Sequence, residues 1–354
     1  MPKILKVRSE MVEHERAYIF THQGIKDFLK IKGSSLSDNF QFIRDCYFSK
    51  GVRIRHLNDQ VFITRKTGDK YKGYRIEKEI ATEAAVADLL VPEASLEIIK
   101  RRFQVENLEC PPDKPYNVVV DFITSPMEIA VLEIEAADQM AYPIPFDITQ
   151  RLFGVNLTDC PLCSWEYFNR KVGFCGGPSS GKTESAKWLS HQINTRFNGN
   201  AFHVTEYATS FIQKYGRHPE FGDQILLWHG QWKRERNANN SHFVISDCPT
   251  FLSYIYAQML QTGEFNEKQA LHLVKMYKQS LFDVTSYTDI LLLAVQQYRD
   301  NGVRYQTIEE ALEIQAKIQT FLDDHNIGYI KTSYENNETI LRDLLYLNVR
   351  ENYE

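Results

Sequence analysis

Lys171-Val172-Gly173-Phe174-Cys175 is a short apolar run, and Gly176-Gly177-Pro178-Ser179-Ser180-Gly181-Lys182-Thr183 follows it without a break. Residues 184–189, Glu-Ser-Ala-Lys-Trp-Leu, then open a helix-period pattern. GxxxxGKT between a strand and a helix is the setting of a phosphate-binding P-loop. Glycines let the backbone turn around an anion with its N–H groups inward, and the helix N-terminus adds partial positive charge. In that setting Gly176, Gly177, Pro178, Ser179, Ser180, Gly181, Lys182, Thr183 and Glu184 hold ATP. Lys182 reaches the β- and γ-phosphates, and the Thr183 hydroxyl holds Mg²⁺.

Downstream, apolar runs at 201–205, 242–246, 289–293 and 327–332 alternate with helical patterns, which predicts a parallel sheet. Ligands bind at the carboxyl ends of such strands. Asp247 ends the second of these runs, where an aspartate organises Mg²⁺; it could equally cap the following helix. Glu206 ends the first run, where a carboxylate can take a proton from an acceptor hydroxyl or face a helix dipole. Arg299 and Arg304 flank Gly302 after the third run, a spacing suited to a lid closing on transferring phosphate, or to a solvated loop. Residues 226–236 read as a helix over an acceptor pocket, with Trp228 and Trp232 on one face for stacking or for core packing.

These pieces together resemble the ribosylnicotinamide kinase domain of NadR-type bifunctional proteins and the wider P-loop ATPase and kinase domains around it. The loop at 176–183, Glu206-Tyr207, His229-Gly230-Gln231, Ser246-Asp247 and Asp300-Asn301-Gly302-Val303-Arg304 carry the resemblance. The last element departs from the family's DGxR by the inserted Asn301. The resemblance implies a kinase with Lys182, Glu206, Asp247, Arg299 and Arg304 as catalytic residues. It leaves the acceptor open.

The first half has a different texture. Residues 52–57, 61–66, 74–80 and 131–135 alternate apolar residues with Arg, Lys and Glu. Period two places the charges of each strand on one face. A sheet closing on that face makes a lumen lined with both signs. Basic residues there suit phosphate oxygens, and paired carboxylates suit Mg²⁺ or Mn²⁺.

In order and spacing, residues 10–160 resemble the CYTH, or triphosphate tunnel, family of metal-dependent phosphohydrolases and cyclases. Glu13 and Glu15 match the opening ExExK, Arg53 and Arg55 its RxR, and Thr64 and Lys66 its TxK. Arg75, Glu77 and Glu79 match RxExE, Lys100 and Arg102 match IxKxR, Asp121 ends VxVD, and Glu133 and Glu135 form the closing ExE. The resemblance implies an antiparallel β-barrel. In it Arg53, Arg55, Lys66, Arg75, Lys100 and Arg102 bind a triphosphate, and Glu13, Glu15, Glu77, Glu79, Asp121, Glu133 and Glu135 hold the metal. The sequence departs from the pattern at Ala17, which stands in the lysine position. Two readings follow, a phosphohydrolase and a barrel retained for binding alone.

The expected architecture is therefore an α+β antiparallel barrel over 1–168 and an α/β P-loop domain with a parallel sheet over 169–354. Residues 147–169 are too apolar for a free linker and are expected to pack between the two. A net charge of −5 disfavours long nucleic-acid tracks but not capture of one nucleic-acid end. Six scattered cysteines suit a reducing compartment; Cys160 and Cys163 form a lone CxxC without a second pair to complete a zinc site. No apolar run approaches a membrane span, and residues 1–6 lack the apolar core of a signal peptide, so the expected location is the cytoplasm. Three functions fit: a kinase joined to a triphosphatase, a nucleic-acid 5′-end processing enzyme, or an ATP-driven switch with a phosphate-sensing barrel. The expected cofactors are ATP and Mg²⁺ or Mn²⁺, the expected partners a nucleotide and a small phosphorylated substrate, or a nucleic-acid end in the second reading, and none fixes the oligomeric state.

Overall fold

The computed structural model describes residues 7–69, 74–110, 116–136, 144–145, 147–238, 240–260, 266–295 and 307–348, with the backbone alone at 7–13, 68–69 and 74–75. The chain divides into two compact units. One holds residues 1–168 with 197–199 and 342–354; the other holds 169–196 and 200–341.

In the first unit the described strands are β1 (Val7–Glu13), β2 (Glu15–Phe20), β3 (Ser35–Ser49), β4 (Val52–Leu57), β5 (Gln60–Asp69), β6 (Tyr74–Thr82), β7 (Leu96–Glu106), β8 (Tyr116–Ser125) and β9 (Ile129–Ala136). Helices α1 (His22–Ile31), α2 (Ala84–Leu90), α3 (Ile148–Phe153) and α4 (Ser164–Tyr167) accompany them. The strands form one sheet in the order β1-β6-β5-β4-β3-β7-β8-β9-β2, with every pairing antiparallel. Alternation decides its two faces. Val118, Val120, Leu132 and Ile134 point into an apolar core with Phe20, Phe28 and Phe153, while Asp121, Glu133 and Glu135 point the other way.

The closed barrel expected from the sequence is not made by hydrogen bonds: no ladder joins β1 to β2 among the described residues. The expected opening strand is divided at His14. Glu13 pairs with Arg75 on β6, whereas Glu15 pairs with Glu135 on β9. The outer edge of β2 is already occupied. Tyr18 bridges Asp159, the Cys160 N–H donates to the Ala17 carbonyl at 2.7 Å, and Ile19 bridges Leu347. An edge strand covered in this way has no ladder left to offer.

In the second unit β10 (Arg170–Cys175), β11 (Ala201–Val204), β12 (Phe243–Ser246), β13 (Asp289–Leu293) and β14 (Ile330–Thr332) form a parallel sheet in the order β11-β12-β10-β13-β14. The described helices are α5 (Lys182–Arg196), α6 (Tyr207–Tyr215), α7 (Gln224–Asn237), α8 (Leu252–Met259), α9 (Glu267–Val284), α10 (Ile308–Asp324) and α11 (Asn337–Leu344). β10 lies between β12 and β13, so the loop leaving its carboxyl end sits beside the end of β12. No helix is long and apolar enough to cross a membrane among the described residues.

Candidate functional site

The loop between β10 and α5 needs its glycines. Gly176 has φ +141° and Gly181 φ +86°, a region closed to most side chains, and a Cβ at Gly176 would lie 2.4 Å from the Leu293 carbonyl oxygen. Lys182 Nζ donates to the Gly176 and Gly177 carbonyls at 2.9 and 2.8 Å. Its desolvation lowers its pKa, against the opposing pull of Glu206. Glu206 is the residue before α6, where its Oε2 accepts from Thr209 Oγ1 at 3.1 Å. Burial raises its pKa; Lys182 lowers it and Asp247 adds to the rise. Asp247 follows β12, with Oδ2 3.1 Å from His203 Nε2. Its Oδ1 is buried and has no hydrogen-bond partner.

Lys182, Thr183, Glu184, Glu206 and Asp247 thus line one cavity of about 360 Å³ with the loop residues from Pro178 to Gly181. Of the residues assigned to ATP, Gly176 and Gly177 are not part of this lining. Arg299 and Arg304 lie outside the described residues. A buried acceptor oxygen without a donor fits a cation with its water shell. Thr183 and Asp247 would hold Mg²⁺, which supplies charge neutralisation on the β- and γ-phosphates.

Helix α7 holds the acidic side of this cavity, though not through its tryptophans. Trp228 and Trp232 stack with ring centroids 6.3 Å apart, and the Trp228 indole donates to Asp283 at 2.5 Å; neither ring lines the cavity. The face toward the site carries Gln224, Leu227 and Gln231. Gln231 accepts from the Tyr207 N–H at 2.8 Å and donates to Ser246 at 3.2 Å, tying the turn of Glu206 to the strand of Asp247. A Cβ at Gly230 would lie 2.4 Å from the Tyr207 ring, so glycine there lets that ring close on the helix. Arg234 donates to the Thr205 and Glu206 carbonyls at 3.0 and 2.9 Å. Beneath Ser246, buried Glu235 accepts from Ser246 at 2.8 Å, from Tyr287 at 2.8 Å and from Lys171 Nζ at 2.7 Å. Sequence reasoning missed Glu235; its helical spacing from Gln231 was the available signal.

The first unit holds a second cavity, of about 480 Å³. Arg53, Arg55, Lys66, Lys100 and Arg102 line it, as do Glu15, Asp121, Glu133 and Glu135. Eight of those nine come from β2, β4, β5, β7 and β9, and Asp121 from β8, each on the face opposite the apolar core. Arg102 donates to both Asp121 oxygens at 2.7 and 2.8 Å, contacts Glu133, and lies 3.5 Å from Glu135. Lys100 also contacts Asp121. Glu77 joins Arg53 at 3.3 Å and Lys66 at 3.2 Å. Burial would raise the Asp121 pKa, but Arg102 and Lys100 hold this carboxyl well below the usual range.

Glu79 pairs with Thr64 in the register of β5 and β6 without lining the cavity. Nothing is described of the Glu13 and Arg75 side chains. Of the carboxylates assigned to a metal, Asp121, Glu133 and Glu135 gather on the Arg102 guanidinium. Among the described residues no group of three or more His, Cys, Asp or Glu is placed to hold a metal ion. The physical reason is local: the arginines neutralise the carboxylates first.

Two contributors escaped the sequence reading. Asp45 is buried and accepts from Arg55 at 2.7 and 2.9 Å, and Tyr47 accepts from Arg53 at 2.9 Å. Burial would raise the Asp45 pKa, but Arg53 and Arg55 outweigh it and keep the acid ionised. Neither residue falls in a charged alternation. The segment expected to pack between the domains lines this same cavity with residues 160–168. Lys50 pairs with Glu166 in it, and the Trp165 ring lies 6.4 Å from Tyr47. Cys160, buried, and Cys163, half-buried, belong to that segment.

Residues 171–338 are similar to a family model described as an AAA domain. A NadR protein in complex with NR is 17% identical at a TM-score of 0.43; the match covers 52% of this chain and 53% of that one, so the chain spans about half of that structure's length. A conserved hypothetical protein from Pyrococcus furiosus is 14% identical at a TM-score of 0.32, covering 43% of this chain and 97% of the other. A protein from Pyrococcus horikoshii OT3 is 18% identical at 0.33, covering 43% and 96%. A search of curated proteins returns no match.

Proposed function

We propose that the P-loop domain is a kinase that moves the γ-phosphate of ATP to a hydroxyl of a nucleoside- or nucleotide-type acceptor. The observation that carries the reading is the convergence of Lys182, Glu206 and Asp247 on one cavity, with Asp247 Oδ1 buried and unpartnered. Lys182 would turn from the loop carbonyls to the phosphates, the backbone of the loop would cradle them, and Glu206 would accept the proton of the attacking hydroxyl. Its raised pKa suits a base that must release that proton again.

The charged cavity of the first unit supports a second part of the proposal, that residues 1–168 form a CYTH-like tunnel for a triphosphate. β1 and β2 are the two edges of the sheet yet successive stretches of chain, separated by His14 alone, which supports a tunnel wrapped by one continuous segment. Arg53, Arg55, Lys66, Lys100 and Arg102 would transfer from carboxylates to phosphate oxygens. Hydrolysis would further require Glu133 and Glu135 to leave Arg102. Among the described residues these carboxylates are not placed to hold a metal ion.

The test is to incubate the full chain with γ-labelled ATP and Mg²⁺ or Mn²⁺ against nucleosides, nucleotides, inorganic tripolyphosphate and 5′-triphosphate RNA. Label on a small acceptor supports the kinase, and metal-dependent release of phosphate from tripolyphosphate supports the hydrolase. ATP turnover with no acceptor labelled would remove the kinase reading.

A further inference from the structure

We propose that Glu235 is the positioning residue for Asp247: its buried carboxylate anchors the chain on both sides of that aspartate and so fixes the carboxyl that takes the metal. The proposal rests on the kinase reading, in which Asp247 holds Mg²⁺. Two observations carry it. The first is connectivity. Immediately before Asp247, the Ser246 hydroxyl donates to Glu235 at 2.8 Å. Shortly after it, the Thr250 N–H donates to the Tyr287 hydroxyl at 2.9 Å, and that hydroxyl donates to the two Glu235 oxygens at 2.8 and 2.9 Å. Both ends of the segment 246–250 thus meet on one carboxylate. Asp247 itself is tied to β11, by its N–H to the Val204 carbonyl at 3.2 Å and by Oδ2 to His203. Oδ1 is left as the unpartnered oxygen of a residue that lines the cavity.

The second observation is that the anchor is a charge. Glu235 is 3% exposed. Burying a carboxylate is costly, and an apolar side chain of similar size serves as well or better where only packing is asked. A carboxylate does what such a side chain cannot. It accepts and never donates, so Ser246, Tyr287 and Lys171 all point protons at it. Each hydroxyl is thereby committed in one direction. With its own proton on Glu235, Ser246 accepts from Gln231 at 3.2 Å, and Tyr287 accepts from the Thr250 N–H. Lys171 balances the charge and lies 4.1 Å from the centroid of the Tyr287 ring. Groups behind a metal ligand orient it, and through that orientation they set the affinity for the metal. Glu235 stands behind Asp247 in this sense, without lining the cavity itself.

The test uses the full chain with a saturating non-hydrolysable ATP analogue, and electron paramagnetic resonance counts free Mn²⁺ as the metal is added. Glu235→Gln keeps the size of the side chain but sets an amide donor against groups that donate. It is expected to weaken Mn²⁺ binding about tenfold, the lower end of the usual loss when the support of a metal ligand is removed. Ser246→Ala and Tyr287→Phe each cut one anchor and are expected to weaken it less, in the same direction. Asp247→Asn is the reference and is expected to weaken it most. Binding of the analogue without metal should be unchanged in Glu235→Gln, because the loop is untouched. A Glu235→Gln chain that melts lower yet binds Mn²⁺ as the unaltered chain does makes Glu235 a packing residue and overturns the proposal. Should that variant not fold, Ser246→Ala and Tyr287→Phe decide, and unchanged Mn²⁺ binding in both overturns it. Unchanged Mn²⁺ binding in Asp247→Asn overturns the assignment of the metal to Asp247 and the proposal with it. Failure of the unaltered chain to bind the analogue overturns the kinase reading itself.

Discussion

The two cavities handle negative charge by opposite means. The first unit lines about 480 Å³ with six cations, Lys50, Arg53, Arg55, Lys66, Lys100 and Arg102, and with six carboxylates, Glu15, Asp45, Asp121, Glu133, Glu135 and Glu166. Among the described residues the second lines about 360 Å³ with one lysine and three carboxylates, and relies on a backbone loop. A β-sheet presents few free N–H groups inside its ladders, so a sheet surface must recognise anions with side chains. A loop between strand and helix exposes its N–H groups and needs little else. The consequence is a difference in cost. Side-chain cations must be neutralised when no ligand is present, and the first unit does so with its own acids. The loop carries no such charge to balance, and its lysine rests on two carbonyls.

The largest expected effect breaks the balance in the first cavity. Asp121 is fully buried between Lys100 and Arg102. Asp121→Asn leaves those cations without their closest partner and is expected to cost about 3–5 kcal/mol, the usual penalty for breaking a buried pair. It should lower the melting temperature of the full chain, and tripolyphosphate should restore part of the loss by binding the released cations. The pH dependence follows from the depressed pKa of Asp121. Its contribution is complete above the unfolded carboxylate value, about 4, and is lost as pH falls toward the folded value. Melting of the unaltered chain should therefore fall steeply below about pH 4, and that of Asp121→Asn more gently. Equal slopes would mean that the pair does not carry the charge of the cavity.

A second substitution tests whether the two cavities are independent. Lys182→Ala removes the loop's lysine and is expected to lower phosphoryl transfer by about 10²–10³-fold, the scale of losing one preorganised electrostatic contact. The thermal shift with tripolyphosphate should stay where it was, because the cations of the first cavity belong to other strands. Loss of that shift in Lys182→Ala would show that tripolyphosphate binds at the loop.

Legibility in the sequence divided along the same line. The P-loop was readable because a short backbone motif fixes its own geometry, and the strand ends at Glu206 and Asp247 followed from apolar runs. The charged face of β4, β5, β6 and β9 was readable because alternation has a period of two. Closure was not, since it depends on what occupies the edge of β2: Asp159 and Leu347 are far away in sequence and carry no motif. The pairing state of the carboxylates was not readable either. Alternation places Glu133 and Glu135 on the face of Arg102, but only the fold brings Arg102 into contact with Asp121 and Glu133 together. For Trp228 and Trp232 the helical spacing put both on one face of α7 and could not say whether that face meets the cavity, which it does not.

The smallest expected effect sharpens the comparison most. Ala17 is the cross-strand neighbour of Glu133, is buried, and lines the first cavity. Its N–H donates to Asp159 and its carbonyl accepts from Cys160, so the backbone there is fixed and only the side chain is open to change. A lysine at this position would lay its stem along β2 and bring an ammonium toward Glu133. Glu133 now contacts Arg102, which also holds Asp121. A second cation beside Glu133 would loosen its hold on Arg102 and leave that guanidinium freer for phosphate. Ala17→Lys is therefore expected to tighten tripolyphosphate binding by about 1 kcal/mol, roughly fivefold, the scale of one charge-assisted hydrogen bond less the cost of desolvating the new ammonium. Calorimetry on the full chain carrying Lys182→Ala reads this without interference from the loop. Weaker binding would mean that the new amine blocks the cavity, and that Ala17 keeps open a space the ligand uses.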